Sequence, residues 1–191
     1  MNSNSINNKF ITNIFIYLIF VLAFIERTVF DLGPNVELVT LSLLLGSIYL
    51  SKNTALKLTF LLMAATDLII SNTQIFIFTW SGFLIPVLII SLFKNSLKIE
   101  NLKLKIITPI FLGVTSNLFF YLWSNLGVWI LDSWGMYSKD LLGLIHCYIM
   151  GLPFLRLHLA STIIFVPLGF MLFRKIEHWS LNNEHRKVYN T

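Results

Sequence analysis

Apolar residues in this chain come in long runs broken by short polar stretches. They follow neither the strict alternation of half-buried strands nor the narrow stripe of a surface helix. The runs cover roughly residues 10–26, 36–51, 54–71, 74–93, 106–131 and 154–174. About 20 mainly apolar residues are needed to carry a helix across a bilayer, and all six runs meet or approach that length. The run at 36–51 is short and predicts a tilted or partly re-entrant span. A further apolar piece, 140–152, is too short to span and predicts a short helix or loop lying over one end of the bundle. Gly33, Pro34 and Pro153 punctuate the connections. Pro86, Pro109 and Pro167 fall inside or at the ends of runs, where neighbouring helices can accommodate a kink. The expected fold is all-α: an integral membrane bundle of about six transmembrane helices over 10–174, with polar tails at 1–9 and 175–191. The first run is followed by Glu26, Arg27 and Thr28 rather than a small-x-small cleavage site, so it reads as a retained helix.

Composition agrees with that reading. The 191 residues suffice for one domain, 56% are hydrophobic and only 12% are charged. A soluble domain carries about 25% charged residues. A net charge of +5 would suggest nucleic acid in a soluble protein, but here the placement of the charges matters more, and no nucleic-acid partner is expected. The tail before the first span, the 2–3 and 4–5 connections and the C-terminal tail hold Lys9, Lys52, Lys57, Lys94, Lys98, Lys103, Lys105, Arg174, Lys175, Arg186 and Lys187. The opposite side holds only Arg27, Lys139 and Arg156. By the positive-inside rule this split predicts six spans with both termini cytoplasmic, in the inner (cytoplasmic) membrane and in contact with its lipid. Acidic residues show the reverse bias. Glu26, Asp31, Glu37, Asp67, Asp132 and Asp140 lie at or near the outer ends, against Glu100, Glu177 and Glu184 inside. The outer face is therefore either a solvated surface or the mouth of a polar pocket.

The fifth run carries Asn117, Tyr121, Asn125 and Trp129 at four-residue intervals, with Ser116 and Ser124 beside them. On a helix these share one face, and facing lipid would be costly. The stripe is either interhelical glue, or its outer part, Asn125 and Trp129, lines a site for a small heterocycle. Asp67, near the outer end of the third run, needs a partner at that depth. It either forms a structural pair with Arg27 or Arg156, or contacts a ligand. The first outer loop contains the turn sequence Gly33-Pro34-Asn35. That loop is either simply a well-ordered turn, or a rigid element bearing Arg27, Asn35 and Glu37 over a site.

The single cysteine, Cys147, excludes an internal disulfide and CxxC chemistry. His146 beside it points elsewhere on a helix, and His146 with His158 lacks further ligands at metal-binding spacing. Walker A, His-Glu-x-x-His, Gly-x-Ser-x-Gly and dinucleotide motifs are all missing. No enzyme activity, cofactor or metal is expected. The cytoplasmic loops are too short for an ATPase, so active uptake would draw on a partner or an ion gradient.

Two sets of residues carry a resemblance. The first is Arg27…Gly33-Pro34-Asn35, Gly46 and Asp67. The second, more specific, is Asn125-Leu-Gly127-Val-Trp129, Tyr137 and Gly143-Leu-x-x-Cys147-Tyr148-x-x-Gly151-Leu-Pro153-Phe154. In order and spacing they resemble the domain-of-unknown-function family 6580, described as membrane transport proteins, over about residues 24–172. That family often has an acid early in the last helix, where this chain reads His158-Leu-Ala160-Ser161-Thr162. The family in turn looks like the substrate-binding S components of energy-coupling factor transporters. That likeness implies a small nutrient ligand such as a vitamin, bound near the outer face. It also implies partners, namely a transmembrane coupling subunit and ATPases. S components commonly dock through small residues on the first helix, but here only Ala23 is small, so another surface docks or the shared module is not used. The residues expected to line or close the site are Arg27, Asn35, Asp67, Asn125, Trp129 and Tyr148. The alternative is a non-transport scaffold or assembly subunit of a membrane complex.

Overall fold

The structure is a computed structural model that describes residues 3–30, 32–33, 35–72, 74–95, 104–132 and 135–189. Side chains are described between residues 9 and 181, apart from those of 104 and 105. Six α-helices make up the described chain: α1 Ser3–Ile25, α2 Val39–Tyr49, α3 Lys52–Ile69, α4 Phe76–Phe93, α5 Leu104–Leu131 and α6 Leu141–Tyr189. Among the described residues there is no strand. Pro34 and Asp31 of the first loop, Lys98, Glu100 and Lys103 of the basic 4–5 connection, and the side chains of Glu184, Arg186 and Lys187 lie outside what is described.

Four stretches are long and apolar enough to cross a membrane: Lys9–Phe30, Phe76–Phe93, Ile106–Leu131 and Leu141–Leu181. Their outward faces are apolar as well. Leu18 and Val21 on α1, Ile77 and Phe93 on α4, Phe111 and Leu122 on α5, and Ile149 and Ile163 on α6 are all exposed. A water-facing surface does not present contiguous apolar area of this kind, and the two features together suggest a membrane protein.

α2 organises the bundle. Its 11 residues rise only about 16 Å, roughly half of a 30 Å hydrocarbon core. Every residue from Val39 to Ser47 is buried, and α2 touches α1, α3, α4, α5 and α6. It is thus a short central helix wrapped by the others, and its apolar pattern records burial in protein on all sides rather than a stripe. Its C-terminal end is tied to the basic end of the bundle, where Lys94 Nζ donates to the Leu50 carbonyl (2.5 Å). Tyr49 packs there on Phe173 (ring centroids 4.2 Å). The apolar core includes Ile16, Leu43, Leu44, Leu45, Val87, Val166, Phe170 and Phe173, with the buried Ser91 hydroxyl donating to the Ser47 carbonyl beside it (3.4 Å).

The last element departs from the expected two pieces. Residues 140–152 do not form a separate cap, because α6 runs unbroken through Pro153 and Pro167. Pro153 removes the helical donor to the Ile149 carbonyl. In apolar surroundings the remaining backbone groups have no water to turn to, so the helix persists. Beside the gap, the Tyr121 hydroxyl donates to the Tyr148 carbonyl (2.6 Å). α5 and α6 form the most extensive helix pair, and Gly151 sets their approach: a Cβ there would overlap the Asn125 amide. Gly151→Val is therefore expected to destabilise the protein by about 1–3 kcal/mol, the usual range for overpacking. Thermal unfolding in detergent measures this, and an unchanged midpoint would mean the helices separate freely.

Candidate functional site

Where α1 ends, its winding widens into a π turn, Glu26–Phe30, a local form that often accompanies functional positions. The chain then turns. Gly33 adopts φ 119° and Asn35 φ 57°, and the Val36 N–H donates to the Gly33 carbonyl (3.0 Å). The Gly33 conformation is one that L side chains rarely take. This turn, the expected one, delivers Glu37 and then Thr40 to the N-terminal end of α2, deep among the other helices.

Arg27 reaches from the π turn and uses all three of its guanidinium nitrogens. Nε donates to Thr66 Oγ1 (3.0 Å), Nη1 to Glu37 Oε2 (2.5 Å) and Nη2 to Asp67 Oδ1 (2.7 Å). Asp67, fully buried on α3, also accepts from the Trp80 indole (2.8 Å) and the Asn72 amide (3.4 Å). Glu26, 7% exposed, accepts from the Leu38 N–H (3.2 Å). From Glu37 the polar chain runs inward. Its Oε1 stands 3.6 Å from His158 Nε2 on α6. Thr40 Oγ1 lies 3.0 Å from the same ring nitrogen and donates to Asn117 Oδ1 (3.0 Å). The Asn117 amide donates to the His158 carbonyl (3.1 Å) and to Thr162 Oγ1 (2.6 Å). The rings of Phe83 and Phe120 flank His158 at centroid distances of 6.3 and 5.6 Å.

The site therefore runs from the ends of α1, α3 and α4, where Asp67 and Trp80 lie within about one turn of the helix ends, to the middle of α5 and α6. A carboxylate or guanidinium in such surroundings holds its charge only when it is paired and hydrogen-bonded, and this arrangement supplies both.

The six residues expected to line the site fall into two groups. Arg27 and Asp67 meet in a direct ion pair, and Asn35, in the turn before Glu37, accepts from the Ser161 hydroxyl of α6 through its carbonyl (3.5 Å). Asn125, Trp129 and Tyr148 stand apart, on the α5–α6 hairpin. The Asn125 amide donates to the Tyr121 carbonyl (2.8 Å), the Trp129 indole to the Ser138 carbonyl (2.9 Å), and the Tyr148 hydroxyl to the Leu122 carbonyl (3.0 Å). The ammonium group of Lys139 lies 5.7 Å from the Trp129 ring centroid. Asp140, at the head of α6, accepts from the Gly143 N–H (2.7 Å) and the Ser138 hydroxyl (2.8 Å), and these donors hold its carboxyl below the usual aspartate range.

Along the stripe, Asn117 bonds to both α2 and α6, Tyr121 to α6, Asn125 within α5 and Trp129 within the hairpin. Two apolar grooves open elsewhere on the surface. One, of about 430 Å³, is lined by Leu56, Phe60, Ser81 and Leu84 among others. The other, of about 340 Å³, is lined by Tyr17, Phe24, Leu58 and Ala65 among others. None of the six expected residues lines either groove. Ala23 is buried in the chain's own core, so it is not presented to a partner.

Sequence reasoning did not select Thr40, Thr66, Trp80 or Thr162, which sit within apolar runs. In the sequence Glu37, Asn117 and His158 stand apart: Glu37 in a loop that is either a plain turn or a cover over a site, Asn117 in the α5 stripe, and His158 without further metal ligands at suitable spacing. Among the described residues no group of three or more His, Cys, Asp or Glu is placed to hold a metal ion. For the residues of the network the signal is polarity within or beside an apolar run, and its meaning appears only when α2, α3, α4, α5 and α6 are brought together.

Comparison with curated proteins and with solved structures finds no match. A family model does match, over residues 5–183, and by it the chain belongs to the family of unknown function DUF6580.

Proposed function

We propose that this protein is a membrane transport protein of the substrate-capture type. It would bind a small polar nutrient, such as a vitamin, at the end of the bundle away from its basic face. The observation that carries this reading is the Arg27–Glu37–Asp67–His158 network at the N-terminal end of a half-length helix. Short or broken helices that end inside a bundle are where transporters place substrates and coupling ions, and ionisable residues buried in a membrane bundle mark such pathways. The distribution of charge in the core supports it: the buried carboxylates Glu26, Glu37 and Asp67 gather at the end away from the basic face. The distribution of Lys and Arg supports an inner-membrane location with both termini cytoplasmic. S components of energy-coupling factor transporters are the nearest functional analogy, with a coupling subunit and ATPases as candidate partners.

A second reading, a scaffold or assembly subunit, is favoured by one observation: each nitrogen of Arg27 already has a partner within the chain. Small molecules retained after purification in mild detergent separate the two. For a capture protein, a stoichiometric compound should be found by mass spectrometry. Asp67→Asn should weaken its retention at least tenfold, because the charge is lost while the Trp80 contact survives. If a broad nutrient panel neither binds nor co-purifies, the scaffold reading stands. That reading also predicts that Asp67→Asn changes stability alone.

A further inference from the structure

The buried network carries more negative than positive charge. Glu26, Glu37 and Asp67 are 7%, 6% and 0% exposed, and the one cation facing them among the described residues is Arg27. Asp67 is well satisfied, with Arg27, Trp80 and Asn72 donating to it. Glu26 takes a backbone N–H. Glu37 is different. One of its oxygens meets Arg27, and the other faces His158. Glu37 shares the Arg27 guanidinium with Asp67, so in a low-dielectric interior a second positive charge beside its other oxygen is favoured.

The hydrogen bonds identify the atom that receives it. Asn117 Nδ2 has two acceptors, the His158 carbonyl and Thr162 Oγ1, which orients the amide so that Oδ1 points at Thr40. Oδ1 can only accept, so the one hydroxyl proton of Thr40 goes to it. The contact between Thr40 Oγ1 and His158 Nε2 (3.0 Å) must then be donated by the ring. His158 therefore carries a hydrogen on Nε2, on the side that faces Glu37. In the neutral ring Nδ1 is left with a free lone pair. A proton added at Nδ1 leaves the Nε2–H with Thr40 and makes the ring an imidazolium whose positive charge stands 3.6 Å from Glu37 Oε1.

Among the described residues, the groups around the pair come from every packed element. Arg27 and Glu26 come from the π turn, Asp67 and Thr66 from α3, and Thr40 from α2. Phe83 comes from α4, and Asn117 and Phe120 from α5. Arg156, nearby in sequence on α6, is exposed.

We propose that Glu37 and His158 form a proton-binding site that locks α6 onto the N-terminal end of α2. With the proton bound, the imidazolium–carboxylate attraction joins α5 and α6, through Asn117, to the cluster of the π turn and α3. Without it, Glu37 faces a neutral ring and the joint loosens. Resting on the transport reading, this makes the proton the coupling ion, and the loosened joint gives one half of the bundle freedom to move against the other.

The test uses the full chain in detergent or nanodiscs, with histidine rings labelled with nitrogen-15 and NMR spectra recorded from pH 4 to pH 9. His158→Gln assigns the signal. His158 is expected to change protonation state within that range, and Glu37→Gln is expected to weaken its proton affinity at least tenfold. A His158 ring that keeps one state throughout overturns the proposal, and wild-type protein alone suffices to show it. A titration that Glu37→Gln leaves unmoved overturns it as well. If Glu37→Gln does not fold, Glu37→Asp serves, with a smaller shift in the same direction expected and no shift overturning the proposal. The titration needs no substrate. A titrating His158 in a protein that retains no small molecule would sink the transport reading and leave the proton site standing.

Discussion

Arg27→Ala is expected to destabilise the protein by about 3–5 kcal/mol, the range for removing one partner of a buried ion pair. The guanidinium is 12% exposed, and its partners Glu37 and Asp67 are 6% and 0% exposed. Removing it leaves two carboxylates facing one another's field, and Thr66 loses its donor. The expected loss exceeds that of Asp67→Asn, which keeps a neutral acceptor for Trp80 and leaves the Arg27–Glu37 pair intact. Combining Arg27→Ala with Asp67→Asn and Glu37→Gln should recover part of the loss, because the stranded charges are then gone. Denaturant unfolding in mixed micelles, followed by tryptophan fluorescence, measures all three variants. A loss below about 1 kcal/mol for Arg27→Ala would mean that the pair behaves as a solvated surface bridge.

The second large effect is expected at Asn117. Asn117→Leu keeps a similar volume but removes the acceptor of the Thr40 hydroxyl and the donor to Thr162 Oγ1, while the His158 carbonyl keeps the Ser161 hydroxyl. A buried group left without its partner costs about 1–3 kcal/mol, and interhelical hydrogen bonds in membrane bundles are measured at about 0.6–1.7 kcal/mol. A total near 2 kcal/mol is therefore expected. A double-mutant cycle with Thr162→Val should return a coupling of about 1 kcal/mol for the 2.6 Å bond. Additive losses would mean that the two side chains bond elsewhere once either is changed.

The two substitutions act on opposite ends of one chain of contacts. Arg27 joins the π turn to α3 and Glu37, and Asn117 joins α5 to α6 and α2. Between them Glu37, on the Arg27 side, meets His158, on the Asn117 side. This is why a proton there would alter how the groups sit together, and why a purely structural network would be a surprising place for unbalanced charge.

Much of the architecture was legible in the chain. Six helices at close to the expected places follow from the length of the apolar runs. The Gly33–Asn35 turn follows from turn chemistry. The scarcity of cations on that side narrows the partner of Asp67 to Arg27 or Arg156, and the structure selects Arg27. The continuity of α6 was not legible, because Pro153 reads as a stop in water and only as a weak point in an apolar surround. Nor did the sequence separate Asn125, Trp129 and Tyr148 from the Arg27–Asp67 cluster. Helical spacing says which residues share a face of α5, and it does not say which neighbour that face meets.

The sequence by itself determined the helical class, the apolar outer surface and the segregation of basic from acidic residues, because these depend on composition and on spacing along one element. Only the tertiary structure decided that the 11-residue α2 is the hub of the bundle. It also decided that Glu37, distant in the chain from His158, stands beside it. Such contacts arise where several helices pack around a common centre, and no periodicity within a single run encodes the partner on another.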